Sequence, residues 1–228
     1  MTSQPINQST ILITAGPTRE AIDPVRFLSN RSSGKMGYAI ARAAAESGHR
    51  VILISGPTNL DVADRVDYIP VESTQEMYDA VEHWIKRADI AIFAAAVADY
   101  RPVQVAEHKI KKTNDTMTLE LVKTPDILGS ARHSFGYQGI LIGFAAETDD
   151  LESNARDKLA RKGCDLVVAN DISRKDIGFE SNENEILLVF PDHIEQPAKD
   201  SKQHLGHVIL EHALDLAASR NTDELPES

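Results

Sequence analysis

Cysteine is all but missing from this chain: Cys164 stands alone among 228 residues. One thiol can form no internal disulfide and cannot supply a cysteine-based zinc site. Its context, GCDLVVAN, sets it at the start of a predicted strand, where a small buried thiol is the ordinary occupant. Positive charge is also short, with 24 Lys and Arg against 35 Asp and Glu and a formal net charge of -11. That balance argues against general binding to nucleic-acid backbone or anionic lipid, both of which need a positive surface. No apolar run approaches the ~20 residues of a membrane-spanning helix. The opening MTSQPINQST has neither the basic nor the apolar stretch of a secretory leader. The expectation is a soluble, cytoplasmic protein with no nucleic-acid and no membrane partner. The 8 histidines show no HExxH or other ligand spacing, so no metal ligand is assigned.

What is present is a regular alternation of apolar runs and helix-like runs. Strands are expected at ILITA (11–15), RVILI (50–54), DYIPV (67–71), DIAIFA (89–94), GILIGF (139–144) and DLVVA (165–169). Helices are expected over 34–47, from Ser73 to about Arg87, from Pro125 to about His133, over 149–162 and over 201–218. Ser73 with Glu76 makes a capping box, and Thr124 with Pro125 an N-cap and first-turn pair. MTLELV (117–122) alternates like a strand with one solvated face, and NEILLVF (184–190) reads as a late, antiparallel strand.

Continuously apolar strands separated by helices imply a mainly parallel sheet covered on both faces. The predicted fold is an α/β, Rossmann-like three-layer sandwich with antiparallel strands late in the chain. One domain is expected over 11–219, with a flexible basic flap around 101–116 and disordered tails at 1–10 and 220–228. Two G-P-T triplets, at 16–18 and 56–58, read as coincidental turns.

Ligands of such sheets bind beyond the carboxyl ends of the strands. The segments there are AGPTREAIDPVRFLSNRSSGKMG, SGPTNL, AAAVADYRP, FAAETDD and ANDIS. Within the first, SNRSSGKMG leads into a helix N-terminus whose free N–H groups suit an anion. It is not a P-loop, because Ser29 and Met36 occupy the positions that need Gly and Ser or Thr. It is not a dinucleotide fingerprint either, since its glycines lie far beyond strand one and strand two ends in ISGPTNL without an acid. No tyrosine has lysine four residues on, which weakens an NADP-dependent Rossmann-type reductase. Spacing alone leaves Gly34 and Gly37 equally readable as close packing of helix on sheet.

HKIKK (108–112) is the clearest basic cluster in an acidic chain and follows the fourth strand by a short loop. Its lysines fit either a solvated face or a mobile grip on a polyphosphate. Asp99 is equally open: base reader, metal ligand or turn cap. Lys158 and Lys162 share a helix face, facing the crevice or water.

In order and spacing, ITAGPTREAIDPVRFLSNRSSGKMG, AAAVADYRP, KIKK, VKTPDIL, GFAAET and ANDIS closely resemble the bacterial phosphopantothenate–cysteine ligase family. The likeness covers about Ile11 to Leu216. It implies a ligase of coenzyme A biosynthesis, either stand-alone or the ligase half of a longer protein, without the flavin-dependent decarboxylase half that many relatives carry. The implied reaction joins 4'-phosphopantothenate to L-cysteine with CTP and Mg²⁺, through an acyl-cytidylate, giving 4'-phosphopantothenoyl-cysteine, CMP and pyrophosphate.

Carried across by motif, Asn30 and Arg26 match residues of the second half-reaction, and Lys109 matches a lysine that contacts the triphosphate in the first. Asp99, Pro125, Asp126, Ile127, Leu128, Phe144, Lys158 and Lys162 match nucleotide-binding positions. Ser32, Ser33, Gly34 and Lys35 are the expected cradle for a substrate phosphate. Arg31 departs mildly from relatives that carry His or another residue there. The resemblance also implies a homodimer, and leaves room for a separate decarboxylase partner. The other readings of the chain are the reductase and a nucleotide-binding module without turnover.

Overall fold

The structure is a computed structural model and describes residues 8–111, 115–171 and 181–223, with side chains to 220. Eight strands form its main sheet: β1 (Thr10–Ala15), β2 (Arg50–Ser55), β3 (Val66–Pro70), β4 (Ile90–Phe93), β5 (Ile140–Glu147), β6 (Leu166–Asp171), β7 (Leu187–Val189) and β8 (Ile194–Glu195). Their spatial order is β8-β7-β6-β5-β4-β1-β2-β3. All pairings from β3 across to β6 are parallel, and β7 and β8 close that edge antiparallel. Strand order reverses between β1 and β4, the switch point beside which such sheets open a crevice.

The helices are α1 (Lys35–Glu46), α2 (Thr74–Trp84), α3 (Ile127–His133), α4 (Leu151–Lys162) and α5 (Lys202–Asp223). Alternation along β1 sorts them into two layers. Ile11, Ile13 and Ala15 join Ile40, Ala44, Leu205 and Ile209 in the core under α1 and α5. Leu12 points the other way, to Met77, Val81, Ile127 and Ala131 under α2 and α3, where Ala155 of α4 and Cys164 also sit. Each fully buried aliphatic side chain contributes about 1.5–3 kcal/mol. The three-layer Rossmann-like sandwich expected from the sequence is therefore the observed fold. Burial pushes the Cys164 thiol up to about 12, as befits an inert packing residue. No helix among the described residues is long and apolar enough to cross a membrane.

Boundaries differ where long-range pairing outweighs local pattern. β5 runs to Glu147 because β6 remains alongside it as far as Asp171. NEILLVF is split: Leu187–Val189 joins the sheet, while Glu183–Asn184 pairs with Asp200–Ser201 instead. MTLELV is strand only at its end, where Leu121–Lys123 pairs antiparallel with Tyr100–Pro102. α5 outlasts the expected 218 and reaches Asp223, so the expected tail from 220 overlaps a helix; residues 224–228 and 1–7 lie outside the described residues. The long loop after β1 contains a hairpin, Arg19–Ala21 against Phe27–Ser29, that its polar sequence hid.

The two G-P-T triplets are not coincidental. β1 and β2 are parallel neighbours with Ala15 opposite Ser55, so the two chains leave the sheet at the same level. There they cross so closely that a Cβ on Gly56 would lie 1.9 Å from the Pro17 carbonyl oxygen. Only glycine can occupy that crossing.

Candidate functional site

A cleft of about 750 Å³ opens along the carboxyl ends of β1, β4, β5 and β6. One end is formed by the first turn of α1. Gly34 precedes the helix with φ 77 and supplies no side-chain cap, and the first turn has no acidic residue. Ser32, Ser33, Gly34 and Lys35 all line this end, so the N–H groups and positive dipole end of α1 face the cleft. The Lys35 ammonium donates to Asn182 Oδ1 at 2.8 Å.

Two residues that sequence reasoning missed complete this end. Lys202, the first residue of α5, lines the cleft and is 7 % exposed. Burial, with the Lys35 charge adding to it, brings its ammonium down to about 8. A lysine at a helix N-terminus opposes the helix dipole, and that local inconsistency was the available signal. Asn184 also lines the cleft, and its buried Oδ1 has no hydrogen-bond partner among the described residues. Nothing local marks it, because its burial depends on the pairing of Glu183–Asn184 with Asp200–Ser201.

The opposite end lies between α3, α4 and the end of β5. Asp126 caps α3 by accepting from Gly129 N at 3.0 Å and is ion-paired with Lys162 of α4. Burial pushes the Asp126 carboxyl up, but the Lys162 ammonium, the Gly129 N–H and the Arg161 charge outweigh it and leave it lowered. Lys158, one helical turn before Lys162, donates to the Phe144 carbonyl at 2.5 Å, and burial lowers its ammonium. The expected nucleotide positions Asp99, Pro125, Asp126, Ile127, Leu128, Phe144, Lys158 and Lys162 are thus brought together in one wall. The i, i+4 lysines do face the crevice rather than water.

Between the ends runs the loop after β4. Ala96 N donates to Gly16 O at 2.9 Å, and Ala98 N to Thr18 Oγ1 at 2.9 Å. Thr18 meets Thr74 at 3.0 Å, and buried Glu20 accepts from Thr74 N at 2.8 Å and Thr74 Oγ1 at 2.6 Å. This buried polar network fastens the hairpin, the start of α2 and the cleft loop to one another. Asn30 belongs to the same assembly. Its Nδ2 donates to Ala96 O and Val97 O, both at 3.0 Å, so the side chain is docked on the back of the cleft loop. With both N–H groups engaged, Oδ1 is the group Asn30 has to offer an incoming donor.

Arg26, Asn30 and Lys109 do not line the cleft. Arg26 is ion-paired with Asp23 at the hairpin tip, and Lys109 lies exposed on the arm that follows Tyr100–Pro102. Lys112 and the Ile172–Ser173 end of ANDIS lie outside the described residues.

The architecture and the sequence both have known counterparts. Residues 6–216 match the family model for the DNA/pantothenate metabolism flavoprotein C-terminal domain. The coenzyme A biosynthesis bifunctional protein CoaBC of Vibrio parahaemolyticus is 52% identical over 203 residues, 88% of this chain and 51% of that protein. Its namesake in Bacillus subtilis is 51% identical over 192 residues, 84% of this chain and 47% of the relative. The chain spans about half the length of the curated relatives it matches. A crystal structure of the C-terminal domain of CoaBC superimposes with a TM-score of 0.77 at 41% identity, covering 91% of this chain and 95% of that one. With a shared sequence and a shared fold, the chain belongs to the family of the DNA/pantothenate metabolism flavoprotein C-terminal domain.

Proposed function

We propose that this cleft joins 4'-phosphopantothenate to L-cysteine at the expense of CTP, as a ligase of coenzyme A biosynthesis. The observation that carries the reading is one cleft with two dissimilar ends. The α1 end offers N–H groups and two lysines to a phosphate monoester, and the α3–α4 end offers hydrogen-bonding edges and lysines to a nucleotide. Kinship to proteins named for coenzyme A biosynthesis supports the same substrate class.

A carboxylate is a poor acyl donor, and activation removes that obstacle. Its oxygen attacks the α-phosphorus of CTP, the bond to the β-phosphate bridge breaks, and pyrophosphate leaves. The cysteine amine then attacks the acyl carbon, loses its proton, and CMP departs. Lys109 serves the first step by neutralising triphosphate charge, and Lys158 and Lys162 hold the nucleotide end. Asp99 and the main chain at Phe144 read cytosine. Asn30 Oδ1 orients the amine for the second step, and Arg26 serves that step through the hairpin it shares with Asn30.

Mg²⁺ fits as an ion carried in on the triphosphate. Among the described residues no group of three or more His, Cys, Asp or Glu is built to hold a metal, and Mg²⁺ on a triphosphate needs only one or two carboxylates. Glu147 in the cleft wall can supply one. When bound, the ion offsets negative charge on the leaving pyrophosphate. The active assembly is a homodimer: Val25, Phe27, Tyr100, Val103 and Leu121 leave an exposed apolar surface on the hairpin and arm, of the kind a second subunit covers. A decarboxylase is the natural consumer of the product.

The half-reactions separate the roles. Lys109→Gln is expected to abolish pyrophosphate release, whereas Asn30→Asp still releases pyrophosphate and accumulates the acyl-cytidylate. Amide formation by Asn30→Asp at the wild-type rate would refute the role given to Asn30.

A further inference from the structure

AIDPVRF, residues 21–27, ends the first hairpin strand and begins the second, and its aspartate is 3 % exposed. A buried carboxylate needs full compensation by charge and hydrogen bonds. Oδ1 of Asp23 accepts from Val25 N and Arg26 N, both at 2.9 Å, which closes the turn over Pro24. Oδ2 has a different task. It accepts from Arg26 Nε at 3.0 Å and is paired with Arg26 Nη2. It also accepts from Ile110 N at 3.1 Å, while Arg26 Nη2 donates to Ile110 O at 3.1 Å. Both main-chain groups of Ile110 are thus held by one carboxylate–guanidinium pair, as a neighbouring strand would hold them. The Arg26 guanidinium keeps the Asp23 carboxyl far below the usual carboxylate range, against burial, with the N–H groups of Val25, Ile110 and Arg26 adding to it. A second contact, Ala106 N to Ile22 O at 3.0 Å, lays the rest of the arm along the same hairpin.

Ile110 is the residue between Lys109 and Lys111. We infer that Asp23 is a positioning residue for Lys109: through Arg26 and the two main-chain groups of Ile110, it fixes where on the arm the triphosphate-gripping lysine is presented. The inference rests on the role given to Lys109 above. It explains how a lysine on an exposed arm acquires a defined position. It also links the two half-reactions physically, because the hairpin that holds Ile110 at its tip continues directly into Asn30.

Asp23→Asn is a selective test. The amide oxygen can still close the turn, but the amide nitrogen replaces Oδ2 and cannot accept from Ile110 N–H or Arg26. Hydrogen exchange of the Ile110 amide should accelerate at least about tenfold, the loss of roughly one charge-assisted hydrogen bond. Single-turnover pyrophosphate release should fall about 10²-fold, as for a ~1 Å misplacement, through the rate rather than KM for cysteine. In a Lys109→Gln background, which releases no pyrophosphate, the same change should still accelerate exchange of the Ile110 amide. Unchanged Ile110 exchange in Asp23→Asn, or pyrophosphate release by Asp23→Asn at the wild-type rate, overturns the assignment. A wild-type protein that releases no pyrophosphate refutes the functional reading, while amide exchange still decides whether Asp23 holds Ile110.

Discussion

Gly37→Ala adds one methyl group at the most crowded point between α1 and the sheet. A Cβ at Gly37 would stand 2.6 Å from Ala15 Cβ and 3.3 Å from Ala15 Cα. Carbon atoms pack best at about 3.5–4.0 Å, so the deficit is about 1 Å. Ala15 cannot retreat, because it is fully buried at the end of β1, paired with β2 on one side and with β4 following on the other. The first turn of α1 must therefore lift by about the same distance. Overpacking of this kind costs about 1–3 kcal/mol, which for a domain of this size lowers Tm by roughly 2–12 °C. The turn that lifts is also the one that aims N–H groups into the cleft. KM for the phosphorylated acid should rise about tenfold, a loss of about 1.4 kcal/mol of binding. Thermal melting and initial-rate kinetics on one preparation measure both effects. A melting temperature within about 1 °C of wild type together with an unchanged KM would refute the packing argument.

Two further changes probe the cleft. Asp126→Ala removes the cap of α3 and the partner of Lys162, which is 7 % exposed. Because the carboxylate is itself more than half exposed, the expected loss is about 1–3 kcal/mol in denaturant unfolding rather than that of a fully buried pair, with weaker nucleotide binding. Lys202 has a folded-state value of about 8, below its unfolded value, so between those values the unfolded chain binds more protons and stability rises with pH. The rise should begin near pH 8 and end near about 10.4, where the unfolded lysine titrates. Lys202→Met should flatten this window in unfolding measurements, and an identical pH profile would contradict the placement of that ammonium.

The inner strands were legible because they are buried on both faces, and continuous apolar runs such as ILITA and DIAIFA allow few other readings. Ser73 and Glu76 form the capping box their spacing implied, with Glu76 N at 3.2 Å from Ser73 Oγ. The α1 loop was harder to read. Gly34 and Gly37 could have meant packing or phosphate; Gly37 packs on Ala15, and the turn after Gly34 faces the cleft. What escaped the sequence depends on distant partners. Glu20 and Asp23 look like ordinary loop acids, yet each is buried by groups more than fifty positions away, Thr74 and Ile110. Lys202 stands out locally as a cation at a helix N-terminus, but its place in the cleft depends on α5 starting beside α1.

The central claim is that one cleft spends CTP to activate an acid and hands it to cysteine. The most direct measurement is pyrophosphate release from purified protein given 4'-phosphopantothenate and Mg²⁺, with CTP or ATP, with and without L-cysteine. The account predicts a stoichiometric burst with CTP alone, continuous turnover once cysteine is added, and little release with ATP. No pyrophosphate with either nucleotide, or oxidation of NADPH in its place, would contradict it.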